Sequence, residues 1–466
     1  MLAKSGLLGA LIGLSLAITP TVSHEAPAPR SVYVTNILSS DITRFAIQQD
    51  GGLAADAELT DTGAAPRGIE ISPDARTVYV ANGEDSTITT YRVAADGGLE
   101  ALPPSTPTPE DPDDAVVSPG GQRLYVISRS AAMVTMFPIA GDGRLTTPGT
   151  SFPVLGENPR GIAMTPDGRF LFVSTGDPLA DTVPDVLVRF RVEGDGTLTR
   201  LGTTPIGAAG GAMALTPDGR FLFVPCSASR EVFVFRVGPD GGLAPVPGSP
   251  FRAPGVPIAA AVTPDARNLY VADGGLIDSG STKVSAYAIR DNGSLDHLAD
   301  VDADESPVSL APTPDGRWLY VSNLDTSKVS AFRIKPGGYL EELDGSPFPT
   351  GGMRPAFQSL AVLPDQGPQA ALTAGGTTGL VARFDASASA DPDGRVVRYD
   401  WSFGDGTVLE NGGPEPAHRF RAAGTYQVTV VVTDDEGCST DQVFTGASTQ
   451  CNGSGRARAR QSVTVR

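Results

Sequence analysis

Three arginines stand in similar short segments, Arg67 in APRG, Arg160 in ENPRG and Arg354 in MRPAF. A guanidinium presents a rigid fork of donors that matches carboxylate or phosphate, so three of them gathered in one place would bind a small anion. A segment of the same kind, EDPDDA, carries Asp113 and Asp114. These carboxyls, with Glu157, are natural ion-pair partners for the arginines. They are also the candidates for general acid–base work, which needs a pKa raised by burial or by a like charge. Histidine, the usual base near neutral pH, occurs only as His24, His297 and His418. The chain has no phosphate-binding loop, dinucleotide fingerprint, CxxC pair or Gly-x-Ser-x-Gly elbow, which removes the commonest enzyme classes.

The strands and turns around these residues repeat. TPDGRFLFV occurs at 165 to 173 and again at 216 to 224. Aligned on the aromatic before Val, it belongs to a series of Tyr33, Tyr79, Tyr125, Phe172, Phe223, Tyr270 and Tyr320, at steps of 46 to 51 residues. Each unit reads as an apolar run, a Pro-Asp-Gly turn, an alternating aromatic strand, a polar loop, a third strand such as Val232, Phe235, Val237, a Gly turn and a Pro-rich fourth strand. Four short strands per unit and no helical period predict the blades of a β-propeller. The first unit starts with a second strand, SVYVTN at 31 to 36, and the repeats end with an unpartnered first strand, SLAVLPD at 359 to 365. Pairing these two closes a seven-bladed ring without free edges.

With YVTN at 33 to 36 and its PDG and DGGL turns, residues 30 to 365 resemble the lactonase-type, or YVTN-repeat, seven-bladed propellers. That resemblance implies a site at the loop-bearing mouth of the central channel, where the mechanistically understood enzymes of the family place histidine and acidic residues. Here His297 falls in a fourth strand and His418 beyond the repeats, so neither reaches that mouth. The loops that precede first strands share one face with those that follow second strands, which puts Arg67, Asp113, Asp114, Arg160 and Arg354 at the mouth as the candidate ligand-binding residues. No catalytic residue is assigned.

The chain beyond the repeats contains FDASASADPDGRVVRYDWSFGDG and GTYQVTVVVTDDEG. Alternation of Tyr399, Trp401 and Phe403, and of Tyr426, Val428, Val430 and Val432, predicts a small β-sandwich. WSFGDG makes it similar to a PKD domain, an immunoglobulin-like module. Asp391, Asp393, Asp400 and Asp405 bracket a turn here. Such carboxyls suit Ca2+, but Asp-Gly pairs also simply make turns, and no metal or cofactor is expected.

An apolar run from Leu7 to Ile18 after Lys4 reads as a secretory signal peptide. In an exported chain Cys438 and Cys451 read as a disulfide, and Cys226 as a buried small hydrophobe. A net charge of −18 argues against nucleic acid and anionic membrane as partners. The expected organisation is all-β: signal peptide 1–26, propeller 27–365, linker 366–376 and sandwich 377–466. The expected product is a secreted or extracytoplasmic monomer with no integral membrane segment. Its leading reading is a non-catalytic protein that binds an extracellular protein, glycan or small anion. The alternative is a hydrolase similar to the 6-phosphogluconolactonase type of propeller, acting on a sugar lactone.

Overall fold

A computed structural model describes residues 30 to 54, 57 to 176, 185 to 274 and 280 to 466. The signal-peptide reading and His24 lie outside the described residues. Among those described, no helix is long and apolar enough to cross a membrane.

Seven antiparallel sheets follow one another around a ring. Blade 4 is typical, with strands Pro159–Met164, Phe170–Thr175, Val186–Val192 and Leu198–Pro205 in spatial order. Its second strand is buried along its whole length, as a continuous apolar run covered on both faces should be. Ring closure is as expected. Ser31–Asn36 pairs on one edge with Asp41–Ala46 and on the other with Pro355–Val362, with Val32 opposite Val362 and Val34 opposite Leu360. The closing strand thus begins earlier than its apolar pattern, at Pro355, with a bulge between its two halves. We number blades from this one.

Two local devices explain the repeated words. In TPDG, Thr165 Oγ1 donates to Asp167 Oδ1 (2.6 Å) and accepts from Phe170 N (3.0 Å). Thr216 does the same with Asp218 (2.6 Å) and Phe221 N (3.1 Å). The glycine closes the turn at φ +69° in one copy and +68° in the other, a conformation a Cβ disfavours. The second device joins blades. The Tyr33, Tyr79, Tyr125, Tyr270 and Tyr320 hydroxyls donate to the carbonyls of Gly97, Gly143, Gly196, Gly338 and Gly51, at 2.6 to 3.0 Å. Each of these glycines lies in the turn before the fourth strand of the next blade, so the aromatic and the DGGL turn are two halves of one contact.

The sandwich stacks Thr373–Thr378, Val381–Asp385 and Ala417–Arg419 on Val408–Leu409, Val396–Ser402, Gly424–Asp434 and Arg458–Val465. Trp401, Phe403, Val428, Val430 and Val432 are buried between the sheets. Residues 366 to 376 lie along this module, where Gln369 bridges Ala390 and Ala370 N donates to Arg456 O (2.7 Å).

The Cys438–Cys451 disulfide is formed. Within it, Val443–Phe444 pairs with Thr449–Cys451 as a small hairpin, and this hairpin leaves the sandwich for the propeller. Phe444 joins Val116, Ile162 and Met164 in the core of blades 3 and 4. The Met164 and Leu215 amides, at the ends of two first strands, donate to the carbonyls of Gly446 and Thr445 (both 2.8 Å). Residues 444 to 449 therefore cap the channel on the PDG-turn face.

Candidate active site

First strands start at the loop-bearing mouth, where a residue in the left-handed region commonly precedes proline: Ala65, Asp111, Asn158, Ser306 and Arg354. The amide that follows a second strand bonds the carbonyl of such a residue, as in Arg129 N to Asp111 O (2.8 Å) and Leu324 N to Ser306 O (2.8 Å). This contact places both sets of loops on one face.

Arg67 and Arg160 fall at the second residue of Pro66–Ile71 and Pro159–Met164, inside the first strands. The three arginines do not form one ring of open anion donors. Arg67 pairs with Asp113 (2.8 Å) and Asp111 (2.9 Å), and Arg129 adds contacts to the same two carboxylates (3.2 Å to Asp111, 3.5 Å to Asp113). Two guanidiniums and two carboxylates so neutralise each other. Arg354, half exposed, faces Asp325 at 3.5 Å. The Arg160 guanidinium lies over the Phe357 ring, 6.0 Å from its centre, and the Arg160 carbonyl accepts from Gln358 Nε2 (3.0 Å). Phe357 and Gln358 belong to blade 1 and Arg160 to blade 4, so this pair of contacts crosses the channel mouth.

Between that crossing and the cap of residues 445 to 449 lies a cavity of about 90 Å3. Its walls come from first strands, which line it with small residues beside Ile69, Ile162, Met213, Leu310 and Leu360. At one level stand Ala163, Ala214, Ala261, Ala311 and Ala361, with Val116 in blade 3, and the same position in blade 2 is Glu70. Two residues nearer the mouth stand Gly68, Gly161, Ala212, Ala259, Ser309 and Ser359, and the same position in blade 3 is Asp114. The two acidic exceptions are on adjacent blades, and both line the cavity with Gln358. Room for Asp114 comes from its neighbour. A Cβ on Gly68 would lie 2.8 Å from the Asp113 carbonyl oxygen and 3.2 Å from Asp114 Oδ1.

Burial pushes the Asp114 carboxyl well above the usual carboxylate range, and the Asp113 charge adds to it, against stabilising hydrogen bonds from the Ala115 and Ile162 amides. Glu70 is likewise raised well above its ordinary value by burial and then by Asp114. Such a pair holds its proton more tightly than separate carboxyls would. Sequence reasoning named Asp114 and missed Glu70; the legible signal was one charge in a ring of five alanines and a valine. No described histidine reaches the channel. His297 pairs with Asp300 on the outer part of blade 6 (2.7 Å), and His418 with Asp405 in the sandwich (2.8 Å). Cys226 is buried, and burial pushes its thiol well up, as suits a small hydrophobe.

A model described as "Lactonase, 7-bladed beta-propeller" matches residues 24–112, 99–183 and 246–353, and one described as "PKD domain" matches 366–447. The 6-phosphogluconolactonase of Enterobacter sp. (strain 638) is 27% identical over 158 residues, 33% of this chain and 44% of the relative. The chain thus spans less than half the length of that curated relative. The structure of a putative 6-phosphogluconolactonase from Bacteroides uniformis superposes with a TM-score of 0.62 at 19% identity, covering 72% of this chain and 99% of that one. The periplasmic gluconolactonase of Pseudomonas aeruginosa gives 0.60 at 19%, with the same coverage. At such identities the superpositions speak for the fold alone. The family model spans more than half of the sequence, and the chain belongs to the lactonase family of seven-bladed β-propellers, here joined to a C-terminal PKD domain.

Proposed function

We propose that the chain is an exported lactone hydrolase in which Glu70 and Asp114 share the acid–base work. The observation that carries this reading is the buried carboxyl pair in the channel, each member raised well above its ordinary pKa. Family membership and the lactonase activities of the named relatives support it, and the N-terminal sequence with the disulfide supports export. This reading replaces the non-catalytic one that the shortage of histidine suggested.

In the ring opening, the ionised member of the pair takes a proton from water as its oxygen adds to the lactone carbonyl. The protonated member gives its proton to the ring oxygen as the acyl C–O bond breaks, leaving a hydroxy acid. Arg160, at the mouth, orients an anionic substituent of the substrate. A cavity of about 90 Å3 holds a few waters and is smaller than the roughly 300 Å3 of small-molecule sites, so the ring enters when Phe357 and Gln358 move off Arg160. The crossed mouth and the self-neutralised Arg67 cluster are the observations that favour the second reading, a binding protein with an idle channel.

The test is ring opening of a lactone panel by the purified mature chain, followed by proton release. We expect turnover in the wild type, a loss of about a hundredfold or more in kcat for Asp114→Asn and Glu70→Gln, and a raised KM for anionic lactones in Arg160→Ala. No turnover across the panel, or turnover untouched by both carboxyl variants, returns the protein to the binding reading.

A further inference from the structure

Propeller blades surround a central channel, and a cavity on its axis would open toward both faces of the ring. Here the far end is stopped by the other domain. Thr445, Ala447, Ser448 and Thr449 line the cavity together with Glu70 and Asp114, although they belong to the hairpin inside the Cys438–Cys451 disulfide. Two bonds fix the depth of the tip. Met164 and Leu215, whose amides donate to Gly446 O and Thr445 O (both 2.8 Å), each follow by one residue an alanine on the level of Glu70. First strands run away from the mouth, so the tip lies directly behind that level.

The tip is shaped for this place. Phe444 anchors it among Val116, Ile162 and Met164. Gly446 sits at φ +95°, where a Cβ would lie 2.7 Å from Leu215 Cδ1 and 2.9 Å from Leu215 N, so glycine permits the close approach. The tip also closes on itself, Thr445 N donating to Ser448 O (3.0 Å) and Gln450 Nε2 to Ser448 Oγ (3.0 Å). From Gln442 to Ser454 no side chain carries a charge. The hairpin therefore adds no charge to the cavity and acts on it by displacing water.

We infer that the 444–449 tip of the sandwich is the floor of the active site, shutting water out from behind Glu70 and Asp114, so that the propeller's site is incomplete without its C-terminal domain. The catalytic half of this inference rests on the hydrolase reading above; the exclusion of water does not. Among the described residues, Glu70 and Asp114 are the only titratable side chains that line the cavity. Beside them stand Asp113, held by Arg67 and Arg129, and the Val117 amide, which donates to Glu70. All of these belong to blades 2 and 3 and stay in place when the tip leaves. Burial is the foremost cause that raises both carboxyls. Water admitted through the floor lowers their proton affinity, and the pair then gives up its proton at lower pH.

The test uses the full mature chain and two variants that lift the tip, Gly446→Ala through the Leu215 clash and Phe444→Ala through loss of the anchor. Gln442→Ala is the comparison, since its bond to Pro119 O (2.7 Å) holds the hairpin outside the cavity. Infrared titration follows the protonated carboxyl band without substrate, with Glu70→Gln assigning it. Lactone turnover against pH follows the same proton in catalysis, and proteolysis between residues 439 and 450 reports release of the tip. In both tip variants we expect cleavage there, and a carboxyl band and an alkaline limb of kcat/KM that move down by about one pH unit or more, with Gln442→Ala unmoved. A merely structural tip would lower the active fraction at every pH and leave both midpoints in place. A released tip with an unmoved band, or an equal shift in Gln442→Ala, overturns the floor. A shifted band in a chain that opens no lactone keeps the floor and overturns the hydrolase reading.

Discussion

Gln358 Nε2 donates to the Arg160 carbonyl at 3.0 Å, and this bond, beside the Phe357–Arg160 contact, joins blade 1 to blade 4 across the mouth of the channel. Gln358 sits at φ +53°, in the left-handed region where glycine is the favoured residue. Gln358→Gly should remove the crossing bond without backbone strain. The expected result is a several-fold higher kcat/KM for lactones with Tm changed by no more than a few degrees, since a lost hydrogen bond of about 1 kcal/mol is offset by relief of the backbone. Unchanged kinetics in an active enzyme would show that this contact is no barrier to entry.

The Tyr320 hydroxyl closes the ring, donating from blade 7 to the Gly51 carbonyl of blade 1 at 2.8 Å. Tyr320→Phe leaves that carbonyl without its partner in a buried site, at a cost of about 1 to 3 kcal/mol. The phenylalanines at the equivalent positions, Phe172 and Phe223, make no such bond, so Phe172→Leu should lack the hydrogen-bond component and act through packing alone. Chemical denaturation of the two variants measures the difference.

Blade 6 predicts a pH dependence. Asn36, Asn82 and Asn323 each donate from the end of a second strand to a hydroxyl on the third, Thr43, Thr89 and Ser330 (2.8, 2.8 and 3.0 Å). Blade 6 has Asp273 there, accepting from Ser285, and burial raises its pKa to about 7. The unfolded chain ionises this group near pH 4. Its contribution is therefore full below pH 4 and is lost as pH rises from about 4 to 7, because only the unfolded state releases the proton there. Asp273→Asn should gain on the order of 1 to 3 kcal/mol over wild type at pH 8 and little at pH 4. A gain that did not vary with pH would contradict the assignment.

Phe444 carries the sandwich's hold on the channel. It is 1% exposed among residues of blades 3 and 4, and Phe444→Ala should cost about 3 to 5 kcal/mol of that docking. Replacing both Cys438 and Cys451 by Ser should loosen the same hairpin by about 3 kcal/mol through loop entropy. Both variants should become sensitive to proteolysis between residues 439 and 450, while the propeller strands stay protected in hydrogen exchange.

The seven units, the ring closure and the sandwich are legible in residue order alone, because these rest on short-range chemistry written several times over. A Thr-Pro-Asp-Gly turn closes through bonds two and five residues apart, and a buried second strand is a mostly apolar run built around an aromatic residue and a valine. The sites, by contrast, are set by how distant segments pack. Arg67 and Asp113 were visible as residues, yet their mutual neutralisation depends on blade 2 facing blade 3. Glu70 meets Asp114, and Thr445 meets Leu215, across contacts between strands or domains far apart in sequence. The proton affinity of a carboxyl is set by the water removed from around it, and no spacing along the chain records how much each site excludes.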